Sequence, residues 1–287
     1  MIISVVNHTN GKIKDEDVQR TLRAINRQIE EDFEPYWSLG ARLRLEGKSG
    51  TKPTTVSLPD LRGDAVLYLW DGADVEDALG YHFANANGIP YGSVFTEIAE
   101  ELGEDWSVTL SHEALELIAD PEANLLVMGP HPADPEHMVF HWYEMCDAVQ
   151  AESYEIDGVA VSNFLLPLYF TESDEVGSRN DFLGNAHGGK TIPSFGVNPG
   201  GYVGFYDPAT NDWGQYVAPG DKKAERRLKI KLQLKQARRA VQYQSFGARR
   251  ALREAKFARP RATVPAGNDK PAQSKTSGRQ MARGRRK

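Results

Sequence analysis

Apolar positions along this chain change period several times, and each change marks an element. Residues 2–6, IISVV, form the short, almost continuous apolar run of a buried strand. From Asp15 to Asp32, Val18, Leu22, Ile25 and Ile29 recur at spacings of three and four, which predicts an amphipathic helix. Ala41 to Leu45 alternates apolar and charged residues, and Asp64 to Trp70, DAVLYLW, is apolar and aromatic, so both read as strands. A loop carrying Gly88, Pro90 and Gly92 precedes Ser93 to Ala99, read as a short edge strand. A helix then runs from about Asp105 to Ala119, with Val108, Leu110, Leu115 and Ile118 on its apolar face and Asp120-Pro121 at its end.

Further on, Val139 to Glu144 and Glu155 to Val161 read as extended, the latter turning at Asp157-Gly158. The apolar stretch SNFLLPLYF at 162–170 is broken by Pro167, and Leu183 to Tyr216, rich in Gly, Pro, Asn and aromatics, reads as irregular. Ala224 to about Ala258 has the propensity of a long basic helix with a thin apolar stripe, interrupted at Gly247. Beyond Arg259 the prolines and the Ser, Gln and Arg content predict a disordered tail. The pattern divides the chain into a main domain over 1–217, a basic helical segment over 218–258 and a basic tail over 259–287.

Composition sharpens this division. The formal net charge of -6 averages two unlike parts: from Asp221 onward 22 Lys/Arg face 4 Asp/Glu, whereas before Asp221 12 basic residues face 36 acidic ones. An acidic body thus carries a basic arm. Residues 222–287 suit the phosphates of a nucleic acid or an acidic protein surface, the acidic body itself included. The single cysteine, Cys146, excludes an internal disulfide framework and is expected in the core. No run approaches the roughly 18 apolar residues of a membrane span, and the N-terminus lacks a basic leader with a cleavage site, so the expected location is cytoplasmic or particle-associated.

The stretch with chemical content is Ser111 to Pro121, SHEALELIADP. His112 and Glu116 stand four apart on the predicted helix, with β-carbons roughly 5–6 Å apart, so both can grip one cation. In the HExxH motif two histidines hold zinc and the glutamate after the first acts as general base toward water. Here Glu116 takes the place of the second histidine. A carboxylate is an acceptable zinc ligand, although its charge weakens the ion's effect on water. Glu113 is the corresponding base. A third ligand is needed, and Glu144, His141 and Asp120 all qualify by residue type. The competing reading is an acidic amphipathic surface helix that happens to carry a histidine.

Three further segments join this one in order: EMCD at 144–147, GVAVSNFLLPLYF at 158–170, and GGY at 200–202 with the aromatics up to Trp213. Together with HEALE and the following DP, they resemble zincin-like metallopeptidases of the HExLE kind found in bacteria, phages and fungi. The resemblance covers about residues 1–217 and leaves the basic arm outside. It implies an α+β fold with a twisted mixed sheet and the motif helix beneath its edge strand, and a Zn2+-dependent peptidase acting on a peptide or protein paired against that strand. By the resemblance to the gluzincin branch, His112, Glu116 and Glu144 are the metal ligands, Glu113 the general base, and Asp147 the residue orienting His112. A contrasting expectation is a non-catalytic, phage-associated structural or binding protein that keeps this scaffold while its arm binds nucleic acid or an acidic protein surface.

Two other patterns carry less. GNAHGGKT at 184–191 fits the phosphate-loop pattern, but Ile192-Pro193 and the FGVNPGG that follows cannot open the helix such a loop needs. His137, Val139 and His141 alternate as on a strand, which disfavours a helical metal pair.

Overall fold

The computed structural model describes residues 1–54, 57–72, 80–172, 178–222, 224 and 225. These belong to the first of two compact units, residues 1–242. Nearly all of the expected basic helix, and the whole tail, lie outside the described residues.

The chain is α+β. β1 (Ile2–His8) leads into α1 (Asp15–Arg27), a π-helical segment Gln28–Phe33 and a short α2 (Glu34–Trp37). β2 (Arg42–Glu46), β3 (Ala65–Trp70), β4 (Gly80–Ala84) and β5 (Pro90–Phe95) follow, then α3 (Thr96–Glu101) and α4 (Trp106–Ala119). These five strands make one mixed sheet in the order β2-β1-β3-β5-β4, parallel except for the antiparallel edge strand β4. β1 and β3 are buried on both faces, which is why their sequences read as unbroken apolar runs.

On one face Ile3, Val5, Leu67, Leu69 and Val94 pack with Val18, Leu22 and Ile25 of α1 and Leu110, Ala114 and Leu117 of α4 in the main core. The other face carries Val6, Val66 and Tyr68 against Leu58, Leu61, Trp70 and Tyr91. α4 therefore lies under β4 and β5.

A second sheet, order β11-β10-β7-β6, is built from β6 (Leu126–His131), β7 (Asp134–Trp142), β10 (Val203–Asp207) and β11 (Asp212–Tyr216). Between them β8 (Ser153–Ile156) and β9 (Val159–Ser162) form a hairpin closed by Asp157 at φ 51° and Gly158 at φ 73°, the pair of positive φ values that an Asp-Gly turn supplies.

Several expected elements are corrected. The helix expected to Asp32 leaves α-geometry after Arg27, although its apolar stripe continues through Ile29 and Phe33. Ser93 to Ala99 is not an edge strand: β5 ends at Phe95, α3 follows, and β4 covers β5 on the outside. The loop expected to carry Gly88, Pro90 and Gly92 is only the β4–β5 hairpin turn at 85–89, held by the Asn85 side-chain oxygen accepting from Asn87 N–H and Ile89 N–H and by Gly88 at φ 77°, while Pro90 and Gly92 lie in β5. The stretch 183–216 is irregular only as far as Tyr202 and then forms the β10–β11 hairpin. The phosphate-loop pattern falls on a tight turn bridging His187 and Lys190, with Gly188 and Gly189 at positive φ and no helix after it.

Ser111, the first residue of the motif stretch, has a packing role. Its hydroxyl donates to Gln28 Oε1 at 2.6 Å and accepts from Ser162 N–H at 3.1 Å, while Gln28 Nε2 donates to the Ser162 carbonyl at 2.8 Å. The network ties the α1 extension, α4 and β9 together away from water. Ser111→Ala leaves two buried polar groups short of a partner and is expected to cost about 1–3 kcal/mol in urea denaturation, with helix content unchanged by circular dichroism.

Candidate metal centre

α4 opens at Asp105, whose side chain accepts the Ser107 N–H at 3.0 Å, and it ends at Asp120 before Pro121. Every residue from Thr109 to Ala119 is buried. Glu113 is 2% exposed and Glu116 3%, so the surface-helix reading of this stretch fails. Carboxylates in such a place need protons, hydrogen bonds or cations to offset lost hydration.

His112 and Glu116 meet as the spacing predicts, with His112 Nε2 3.2 Å from Glu116 Oε1. Asp147 joins them, its Oδ1 3.3 Å from the same His112 nitrogen. Glu116 Oε1 also accepts the Cys146 N–H at 3.1 Å, fixing the carboxylate against the segment that carries Cys146 and Asp147.

From the opposite side comes His82, on the edge strand β4 and 6% exposed. Its Nδ1 lies 3.5 Å from Glu113 Oε2 and 3.8 Å from Glu116 Oε2. This residue is not among those the sequence motifs mark. Its signal lay in the alternation of GYHFA: Tyr81 points to the aromatic face with Tyr91 and Phe95, while Gly80, His82 and Ala84 turn small or polar residues toward α4. Gly80 must stay small, because a β-carbon there would sit 2.7 Å from Glu113 Oε1 and 2.9 Å from Thr109 Cγ2.

Glu144 is half-buried just beyond β7. It stands in a non-helical segment. Two sets of donor atoms each lie within 4.8 Å of one another, His82–Glu116–Glu144 and His112–Glu116–Cys146. Imidazole, carboxylate and thiolate donors at such separations suit zinc. A narrow cleft with room for about one water, lined by His141, Trp142, Glu144, Asp147, Tyr169 and Phe170 among others, reaches the Glu144 and Asp147 side of this cluster.

The two alternative third ligands have other engagements. His141 Nε2 is 2.9 Å from the Pro130 carbonyl, and burial pushes its pKa down to about 4. Asp120 Oδ2 accepts the Leu125 N–H at 2.7 Å and so holds the turn after α4, its pKa raised by burial. His137 pairs with Asp207 at 3.0 Å on β7, as the strand alternation predicts. Cys146 is fully buried and burial pushes its thiol pKa well up, which argues against a nucleophile.

Tyr202, the last residue of GGY, also belongs here. It is buried, and burial together with the charges of Asp147, Glu144 and Glu116 raises its phenol well above the ordinary value, which keeps it a proton donor. For His82 burial alone would lower the pKa, but Glu113 beside it, with Glu144 and Glu116, outweighs this and lifts it to about 9.

No protein-family model, curated protein or solved structure matches this chain.

The His82 shift has a consequence for the metal-free protein. A histidine at 6.5 when unfolded and about 9 when folded means that the native state holds the extra proton between those values. The stabilisation is complete below about pH 6.5 and is lost as pH rises through about 9. Urea midpoints of metal-free protein are expected to fall across that window, and His82→Gln is expected to flatten the slope.

Proposed function

We propose that the chain is a zinc-dependent peptidase whose centre lies between the motif helix and the edge strand of the mixed sheet. The observation that carries this reading is the burial of Glu113 and Glu116 in one contact cluster with His82, His112 and Asp147. The donors fit zinc, with Glu116 common to both sets: His82 and Glu144 join it in one, His112 and Cys146 in the other, and among the described residues neither set brings His112 together with Glu144. Zinc bound there supplies a Lewis acid that polarises a peptide carbonyl and acidifies water.

The chain's own residues supply the rest. Glu113 takes a proton from the attacking water and returns it to the leaving amine. His82, 3.5 Å away, steadies that carboxylate between the two transfers. Asp147 fixes the His112 ring, 3.3 Å from its Nε2. The buried Tyr202 phenol donates to Asp147 and so helps hold the carboxylate that faces His112. An extended substrate pairs by main-chain hydrogen bonds with the outer strand β4, the place that the sequence reading gave to 93–99. The basic residues of 222–287 localise the enzyme on a nucleic acid or an acidic protein surface.

The test is cleavage of a quenched fluorescent peptide library by zinc-loaded full-length protein. Glu113→Gln is expected to lower kcat/KM by about 10^2- to 10^4-fold while elemental analysis finds its zinc content unchanged. Activity indifferent to chelator and to Glu113→Gln would defeat the mechanism. No cleavage at all, with salt-sensitive nucleic-acid retention lost on truncation at Asp221, would favour the non-catalytic binding protein.

A further inference from the structure

Glu116 is shared. Its Oε1 lies 3.2 Å from His112 Nε2, and its Oε2 lies 3.8 Å from His82 Nδ1, so the two oxygens of one carboxylate face two different histidines. The two donor sets within 4.8 Å, His112–Glu116–Cys146 and His82–Glu116–Glu144, have only Glu116 in common. On the His82 side Glu113 Oε2, in a residue 2% exposed, stands at 3.5 Å and makes no hydrogen bond of ordinary geometry among the described residues.

Charge points the same way. Glu113, Glu116, Glu144 and Asp147 bring four carboxylates to one place. With both histidines neutral, as metal ligands must be, one divalent cation leaves half of that charge uncompensated, whereas two balance it. A carboxylate that gives one oxygen to each of two ions holds them roughly 3.5–4 Å apart, the separation of two-metal hydrolytic centres.

We propose that this is a two-cation centre bridged by Glu116. One ion is held by His112 and Glu116 Oε1, with Cys146 and Asp147 beside it; the other is held by His82, Glu116 Oε2 and Glu144. The inference rests on the reading of the cluster as a cation centre, and it assigns Glu144 to the His82 side rather than to the His112 ion. Imidazole with carboxylates on the second side suits zinc or manganese. Glu113 stays next to the second ion, placed to take a proton from water there.

The experiment is a count of ions per chain. Full-length protein is stripped with chelator, titrated with zinc against a chromophoric competitor and analysed by elemental mass spectrometry. About two ions are expected in the wild type, about one in His82→Ala and in His112→Ala, and none in Glu116→Ala. One ion in the wild type, kept by His82→Ala and lost by His112→Ala, overturns the bridged pair and leaves the single-zinc reading standing. No ion in any of them removes both. Manganese-loaded wild type gives a check that needs no variant: paramagnetic resonance of an exchange-coupled pair supports the bridge, and only isolated-ion signals contradict it.

Discussion

Like charges packed together out of water are the constraint around which this molecule is arranged. Glu113, Glu116 and Asp147 are almost fully buried and Glu144 is half-buried, all at the contact of α4 with the chain segments around it. Left bare, such a cluster would be severely unfavourable. His112 and His82 relieve part of it from opposite sides. The raised proton affinity of His82 is the local electrostatic record of that excess negative charge, since burial alone would have lowered it.

Much of the surrounding fold holds these groups in place. Asp105 starts α4 and Asp120 ends it, so the ionisable residues fall mid-helix under the sheet edge. The Gln28–Ser111–Ser162 network pins the helix from behind. Gly80 leaves the room that the Glu113 side chain occupies. Cys146 gives its backbone N–H to Glu116, and Asp147 comes next in the chain, so one short segment contacts both His112 and Glu116. Few of these contacts are explained by core packing alone; together they describe a helix held in register with a strand and a loop.

The legible part of the fold was the part with a strong local pattern. β1, β2 and β3 announce themselves by apolar runs or alternation, α1 by its three-and-four spacing, and α4 by its apolar face and terminating Asp-Pro. The β8–β9 hairpin was marked by its Asp-Gly turn. β4 was not legible, because its inner face carries glycine, histidine and alanine where a strand normally shows bulk. Losing β4 displaced the sheet edge by one strand and hid His82. β10 and β11 were hidden by the Gly- and Asn-rich sequence around them, although Phe205 and Tyr206 pair with His141 and Phe140 of β7. At the site, the i, i+4 pair of His112 and Glu116 was readable from helical geometry alone. Contacts between Asp147 and His112, and between His82 and both glutamates, depend on residues distant in sequence, which no local period encodes.

The most direct test of the claim that these carboxylates are assembled around a cation is crystallographic. Crystals of full-length protein exposed to zinc, with data collected on both sides of the zinc absorption edge, would locate any ion independently of activity. Anomalous difference density is expected within ligand distance, about 2.0–2.2 Å, of Glu116 and a histidine. An anomalous map empty at Glu116 after zinc exposure, with the carboxylate still paired to His112 and the Cys146 N–H, would contradict it.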